Sequence, residues 1–340
     1  MASLAVTALV FVASLVVLLW SSSVFTRTIE RIGLALGVSP FVIGATVVSA
    51  GTTLPELASS TLGVLAGESG IVVGNVVGSN VANVLLVLGL AAAVGGGITI
   101  ERELVRVDLP LLVASAAFVL FAAWDGTFAW YEGVLALGGL AVYVMYTLQD
   151  RRRLADTVEE VLESQFDDPV EVDPTADPTE PDSPSSVAAS VTVDVRTVGT
   201  SLGALVLVFA SANFLVEAVL DVAAATGVAT EVVAITAIAV GTSLPEISVG
   251  AAAVRQDSPE LAVGNVLGAN VFNAFWVMGV PSFLGPLSVS SNLRAYALPA
   301  MLVATLLYFF ITQDRVITRY DGFALLLLYA VFVVNLFSFT

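Results

Sequence analysis

The sequence predicts an all-α membrane protein: ten transmembrane helices arranged as two inverted five-helix repeats. Three observations lead there. The 340 residues are 57% hydrophobic and only 12% charged, with a mean hydropathy of +0.95. A soluble chain is about 45–50% apolar and about 25% charged, so this one has too little polar surface to cover a water-facing globule. Apolar runs of roughly 16 to 27 residues recur ten times, close to the ~20 residues a helix needs to cross hydrocarbon. Finally, a stretch of the first half returns in the second at a constant spacing.

The first five runs are Ser3–Val24, Pro40–Ala66, Ile71–Gly95, Leu109–Trp124 and Phe128–Leu148. The second five are Val198–Val219, Val232–Val254, Leu261–Leu284, Ala295–Ile311 and Gly322–Phe339. The first run lacks the basic n-region of a signal peptide and has Arg27 and Arg31 after it instead, so it reads as a helix. Between the two sets the composition changes. Residues 151–196 hold twelve acids and four Arg, a net −8 of the chain's −17, in an Asp/Glu–Pro pattern that cannot build a core. A short helix over Leu154–Phe166 is compatible with it. The domains are therefore 1–149, the first repeat with its motif at 44–90; 150–196, an acidic Pro-rich cytoplasmic linker; and 197–340, the second repeat with its motif at 234–280.

All twelve basic residues are Arg. With the N-terminus and C-terminus outside, eleven of them fall in cytoplasmic loops and only Arg294 outside, a strong positive-inside bias. Trp124, Trp130 and Tyr131 then bracket an outer loop as an interfacial aromatic belt would. The multi-pass location is the cell membrane. A Lys-free, acidic chain suggests a halophilic prokaryote with a salt-rich cytoplasm.

The repeat is the most informative feature. Residues 44–89 align with 234–279 without a gap, with 17 identities in 46 positions. The first copy reads GTTLPE (51–56) and GNVVGSNVANVLLVLG (74–89); the second reads GTSLPE (241–246) and GNVLGANVFNAFWVMG (264–279). Five spans separate corresponding elements, an odd number, so the copies cross the membrane in opposite directions. That is the architecture of many secondary transporters, whose substrate site lies where the repeats meet.

Glu56 and Glu246 fall inside apolar spans 2 and 7 with no Arg near them in sequence. A membrane-buried carboxylate costs roughly 2.5–3.5 kcal/mol and is a functional candidate by default, and the missing counter-charge is most simply a bound cation. Pro55 and Pro245 have no amide hydrogen, so the carbonyls of Gly51 and Gly241 lose their helical partners. Thr52 and Glu56 lie four apart on one helical face with Thr53 adjacent, and Thr242, Ser243 and Glu246 repeat the arrangement. Spans 3 and 8 add Ser79, Asn80 and Asn83, and Ala269, Asn270 and Asn273. Carboxylate, amide, hydroxyl and carbonyl oxygens form a hard-cation set of the kind Ca²⁺ prefers, with six to eight ligands expected. Asn75, Asn80, Asn265 and Asn270 are explained equally by packing and capping. The glycines at 74, 78, 264 and 268 suit close helix packing.

These duplicated motifs resemble the repeats of the cation/Ca²⁺ antiporter superfamily, specifically the prokaryotic sodium/calcium exchangers. The resemblance implies an ion site of four side chains, which by motif position are Glu56, Asn83, Glu246 and Asn273. It implies flanking oxygens from Thr52, Thr53, Ser79, Thr242 and Ser243 and backbone carbonyls at Ser49 and Ala239. Two departures stand out. Asn273 replaces the family's aspartate on span 8, and Ala269 replaces a serine one turn earlier. Two formal negatives remain, which balance one Ca²⁺, two Na⁺ or two H⁺.

The expected activity is export of Ca²⁺ in exchange for Na⁺ by alternating access, with spans 1 and 6 sliding past a fixed core as the resemblance implies. Ca²⁺/H⁺ exchange is the alternative within transport, and a cation channel lies outside it. With no His, no Cys and no HExxH or GxSxG motif, an enzyme is not expected. Nor is a cofactor, a nucleic-acid partner or an obligatory oligomer; the partners are Ca²⁺, Na⁺ (or H⁺) and the lipid bilayer, and the chain should work as a monomer.

Overall fold

A computed structural model describes residues 4–36, 49–99, 108–166, 194–255 and 259–338. The disorder expected of the linker falls mainly on 167–193, which lies outside the described residues, as do the start of the second span and the loop holding Arg102 and Arg106.

Helix α1 (Leu4–Ala35) is followed by the short α2 (Ser49–Thr52), α3 (Leu54–Leu65), α4 (Gly70–Val81) and α5 (Leu88–Gly95). Next come α6 (Leu109–Ala122) and α7 (Trp130–Phe166). The helix expected over Leu154–Phe166 is thus no separate element but a continuation of the fifth span. The second half runs α8 (Val195–Thr226), α9 (Thr230–Val233), α10 (Ala239–Thr242), α11 (Leu244–Arg255), α12 (Pro259–Phe272), α13 (Leu298–Ile311) and α14 (Arg319–Ser338). Among the described residues eight helical stretches are long and apolar enough to cross a membrane, and Leu109–Ala122 is apolar but shorter. The chain is an all-α membrane protein.

Among the described residues, four complete π turns interrupt the helices. They span Ala82–Val87, Ala234–Ile238, Asn273–Val277 and Leu293–Ala297. The first and third begin at or one residue before Asn83 and Asn273, corresponding positions of the two motifs. Such turns insert an extra residue into the hydrogen-bond ladder and recur at functional sites; nothing in the sequence pattern marks them.

Two-residue antiparallel bridges tie the loops together. β1 (Ile98–Thr99) pairs with β4 (Val316–Ile317), and β2 (Thr127–Phe128) with β3 (Leu287–Ser288). At the centre the stretch Gly70–Gly95 is almost wholly buried. It is brought there by close backbone approach: a Cβ on Gly74 would lie 2.7 Å from the Glu231 carbonyl, and one on Gly78 would overlap the Ile235 carbonyl. Small residues let helices meet this way in lipid, where no hydrophobic drive joins them. Gly264, expected to do the same, has nothing within 4 Å of its Cβ position. The long helices α1 and α8 pack along each other at the edge of this core, with much of their surface exposed, as Leu9 and Leu202 illustrate.

Candidate cation site

The second span is broken at Thr53, with φ −89° and ψ 4°; the seventh is broken at the corresponding Ser243, with φ −81° and ψ 4°. Both sit in the sparsely populated bridge region. Pro55 and Pro245 provide the reason: each removes one helical donor and crowds the carbonyl four residues back. The helices restart at Leu54 and Leu244, and the Leu57 and Ile247 amides bond back to the Thr53 and Ser243 carbonyls, each at 3.1 Å. Glu56 and Glu246 therefore stand in the first turns of α3 and α11, where the positive end of a helix dipole favours a carboxylate.

The two repeats interlock at these breaks. α3 packs against the π turn that begins at Asn273, and α11 against the π turn that contains Asn83. Glu56 and Glu246 are each 1% exposed and close enough for their charges to repel. The Thr242 hydroxyl stands beside Glu56, and Thr52 stands near Glu246 without completing a hydrogen bond to it. This differs from the single-face reading of Thr52 with Glu56. The break at Thr53 rephases the backbone, so each threonine faces the carboxylate of the other repeat.

Among the described residues, seven oxygens of the expected ligand set are buried with no hydrogen-bond partner: Glu56 Oε2, both carboxylate oxygens of Glu246, Ser79 Oγ, Ser243 Oγ, Asn83 Oδ1 and Asn273 Oδ1. A folded protein leaves few buried polar groups unpaired, and each costs about 1–3 kcal/mol. Seven of them on elements that pack together could serve a hard cation as a cage, their number falling inside the six to eight ligands of Ca²⁺. Thr53 is fully buried beside them. The Thr242 hydroxyl donates its proton to the Ile238 and Ala239 carbonyls, at 3.1 and 3.4 Å, which leaves its oxygen lone pairs available. Ala239 also accepts the Ser243 amide at 3.1 Å. The side chain of Ser49 is outside the described set, and Ala269, buried at 1% exposure, brings no oxygen.

The other asparagines divide cleanly. Asn80 and Asn270 form a crossed pair, each amide donating to the other's backbone carbonyl at 3.3 and 3.2 Å. Asn270 Oδ1 then accepts Asn83 Nδ2 at 3.0 Å, which leaves the Asn83 oxygen free for an ion. The mirror bond from Asn273 Nδ2 to Asn80 Oδ1 is not made, and both atoms are unpartnered. Asn75 donates to the Glu56 carbonyl, Ser59 and Ser60 at 3.2–3.3 Å, so it braces the helix that carries Glu56.

One contact was missed by the sequence reasoning. Ser22 of α1 donates its hydroxyl to the Gly51 carbonyl at 2.9 Å, the carbonyl that loses its helical partner at Pro55. No motif marks Ser22; the signal is only an unsatisfied carbonyl that some donor must reach.

The fold is that of a multi-pass membrane protein, with a group of buried, unpartnered oxygens where the two repeats meet. Comparison with known proteins gives the family. The model for the sodium/calcium exchanger protein family matches residues 6–149 and 197–338, and the chain belongs to that family. It is 31% identical to the sodium/calcium exchanger MaX1 of Methanosarcina acetivorans over 97% of this chain and 98% of that one. It is 37% identical to the membrane protein MJ0091 of Methanocaldococcus jannaschii over 41% of this chain and 45% of that one. A solved structure of the sodium-calcium exchanger NCX_Mj, soaked with 10 mM Na⁺ and zero Ca²⁺, superposes with a TM-score of 0.63 at 26% identity, covering 97% of this chain and 99% of that one.

Proposed function

We propose that this chain is a secondary active antiporter that exports Ca²⁺ in exchange for Na⁺ by alternating access. The observation that carries the reading is the group of seven buried, partnerless oxygens among the described residues, which includes both carboxylates. Family membership supports the same exchange. Ca²⁺ is held by Glu56 and Glu246, with Asn83, Asn273, Ser79, Ser243, Thr52, Thr53 and Thr242 and the carbonyls of Ser49, Ala239, Gly51 and Gly241 as the surrounding ligand candidates. Na⁺ competes for the same carboxylates. An empty site carrying two negative charges is costly to move through hydrocarbon, so the helices rearrange only when it is loaded.

The chain crosses the membrane ten times as two inverted repeats, with both termini outside and the linker in the cytoplasm. The loop pairing supports this topology, because β1 pairs with β4 and β2 with β3, and an inverted ten-span path puts each pair of loops on one face. Both carboxylates come from one chain, which favours a working monomer, and the Lys-free acidic surface favours a salt-rich habitat.

The test is Ca²⁺ uptake into proteoliposomes driven by a Na⁺ gradient at clamped pH, and separately by a pH gradient without Na⁺. Uptake on the Na⁺ gradient is expected. Uptake on the pH gradient alone would overturn the reading in favour of Ca²⁺/H⁺ exchange, and Ca²⁺ flux with no counter-ion would overturn it in favour of a channel.

A further inference from the structure

The two repeats are alike in sequence but do not occupy mirror-image positions. α8 packs along α3, where Leu54 and Ala58 are buried. The corresponding face of α11 is open: Leu244 is 40% and Val249 38% exposed, and Ser248 is exposed. The α1–α8 pair is thus displaced toward the first repeat's break, and α1 crosses that break closely. Ser22 and Thr26, one turn apart, sit on Gly51: Ser22 donates to its carbonyl at 2.9 Å, and a Cβ on Gly51 would collide with the Thr26 side chain. Thr26 is held in place by donating to the Ser22 carbonyl at 2.9 Å.

The mirror contact can be read from burial. Ser14, Leu18, Ser21, Ser22 and Thr28 of α1 are buried, and at the offset of the motif repeat the residues are Ala204, Val208, Ser211, Ala212 and Ala218 of α8, all buried as well. Ala212 stands where Ser22 does and carries no hydroxyl.

We propose that Ser22 is a positioning residue, a one-sided latch that holds α1 on the Gly51 carbonyl in the present conformation and for which the mirror conformation has no counterpart. The inference rests on the exchange reading above. In alternating access the mirror state arises when the repeats trade positions: α1 moves onto α11, Ser22 leaves Gly51, and Ala212 arrives at Gly241 with no hydrogen bond to offer. One buried hydrogen bond therefore favours the state in which α11 is open, which under the proposed orientation faces the cytoplasm. The break in the second span needs a donor because Pro55 supplies none, and the donor sits on the element that moves.

The readout is sided. A conformational bias changes apparent affinity in proportion to the population of the competent state, so Ser22→Ala should weaken apparent Ca²⁺ affinity at the cytoplasmic face and strengthen it at the outer face. The ratio of the two should change by roughly two- to tenfold, the range of one hydrogen bond. Ala212→Ser, which gives the mirror state the hydrogen bond it lacks, should move the ratio the same way. A packing defect alone would shift both faces together or lower the maximal rate.

A second measurement needs no transport. In hydrogen–deuterium exchange on the full chain without Na⁺ or Ca²⁺, Ser22→Ala should speed exchange of the amides at 51–54. Equal shifts at both faces, or unchanged exchange at 51–54, would overturn the latch. Failure of the wild-type chain to exchange Ca²⁺ for Na⁺ would overturn the proposed function instead, and the deuterium experiment would then decide the latch by itself.

Discussion

Replacing Glu246 by Gln removes one of the two formal charges from the cage while keeping the side chain's shape. Both Glu246 oxygens are buried and partnerless, so in the ion-free protein the carboxylate repels Glu56 with only the helix terminus to offset it. The amide relieves that repulsion. With Ca²⁺ bound the balance reverses: a neutral cluster of two carboxylates and one divalent ion becomes a buried net positive charge, and an NH₂ group points at the cation in place of an oxygen. Removing one member of a buried charge pair costs about 3–5 kcal/mol, which corresponds to Ca²⁺ binding weaker by roughly 10²–10³-fold or more. Thermal unfolding with and without Ca²⁺ reads both effects. At a concentration 100 times the wild-type dissociation constant, bound Ca²⁺ stabilises the wild type by about 2.7 kcal/mol, whereas the variant retains less than about 0.5 kcal/mol. Without ions the variant should melt no lower than the wild type. A Ca²⁺-induced shift of wild-type size in Glu246→Gln would refute the cage as the Ca²⁺ site, because no other described oxygen could replace that charge.

Three other substitutions test neighbouring parts of the argument. Asn273→Asp adds a third carboxylate beside two unpartnered ones and should tighten Ca²⁺ binding, measured as a lower concentration for half-maximal uptake; unchanged affinity would place residue 273 outside the cage. Asn270→Ala removes its bond to the Asn80 carbonyl and frees Asn83, at about 0.5–1.5 kcal/mol per bond. Its thermal stability should fall and Ca²⁺ affinity should fall with it, since the Asn83 amide loses the partner that turns its oxygen inward. Gly78→Ala forces a methyl into the Ile235 carbonyl and to 2.6 Å from the Ala239 Cβ. Overpacking of this kind costs about 1–3 kcal/mol, so its melting temperature should drop clearly, whereas Gly264→Ala, with open space at its Cβ, should leave stability unchanged.

The parts of this protein that follow from chain-local chemistry were legible in the sequence. Apolar runs announce helices, the motif repeat announces the pairing of the two halves, and a carboxylate after a proline in a membrane span announces a break with a charge in it. Glu56, Glu246, Asn83 and Asn273 are accordingly buried where two broken helices meet two π turns. The features that were not legible depend on rotation about a break or on the partner across an interface. The crossing of Thr52 toward Glu246 needs the backbone angles at Thr53. The sorting of Asn80 and Asn270 into braces rather than ligands needs the geometry between α4 and α12. Ser22 is one of three consecutive serines, and only the crossing of α1 over Gly51 distinguishes it from Ser21, which bonds back to its own helix at Leu18.

The polar residues that surround the cage without being its four central side chains are unequally shared. Ser79, Ser59, Ser60 and Ser22 all serve the first repeat, where the second has Ala269, Val249, Gly250 and Ala212. In a perfectly symmetric pair of repeats the two mirror conformations would have equal energy, and no internal contact would favour one face of the membrane. A hydrogen bond across the moving interface, as from Ser22 to the Gly51 carbonyl, removes that degeneracy by an increment the size of one hydrogen bond, whereas bonds within one repeat persist in both conformations. Ser59 bonds the Pro55 and Glu56 carbonyls at 2.9 and 3.1 Å, and Asn75 gathers Ser59, Ser60 and the Glu56 carbonyl. Together they give α3 an interior that α11 cannot reproduce with valine and glycine. Under the proposed exchange the four central side chains set what the site holds and the Ser22 hydroxyl sets which way the protein rests, so the two properties should respond to separate substitutions.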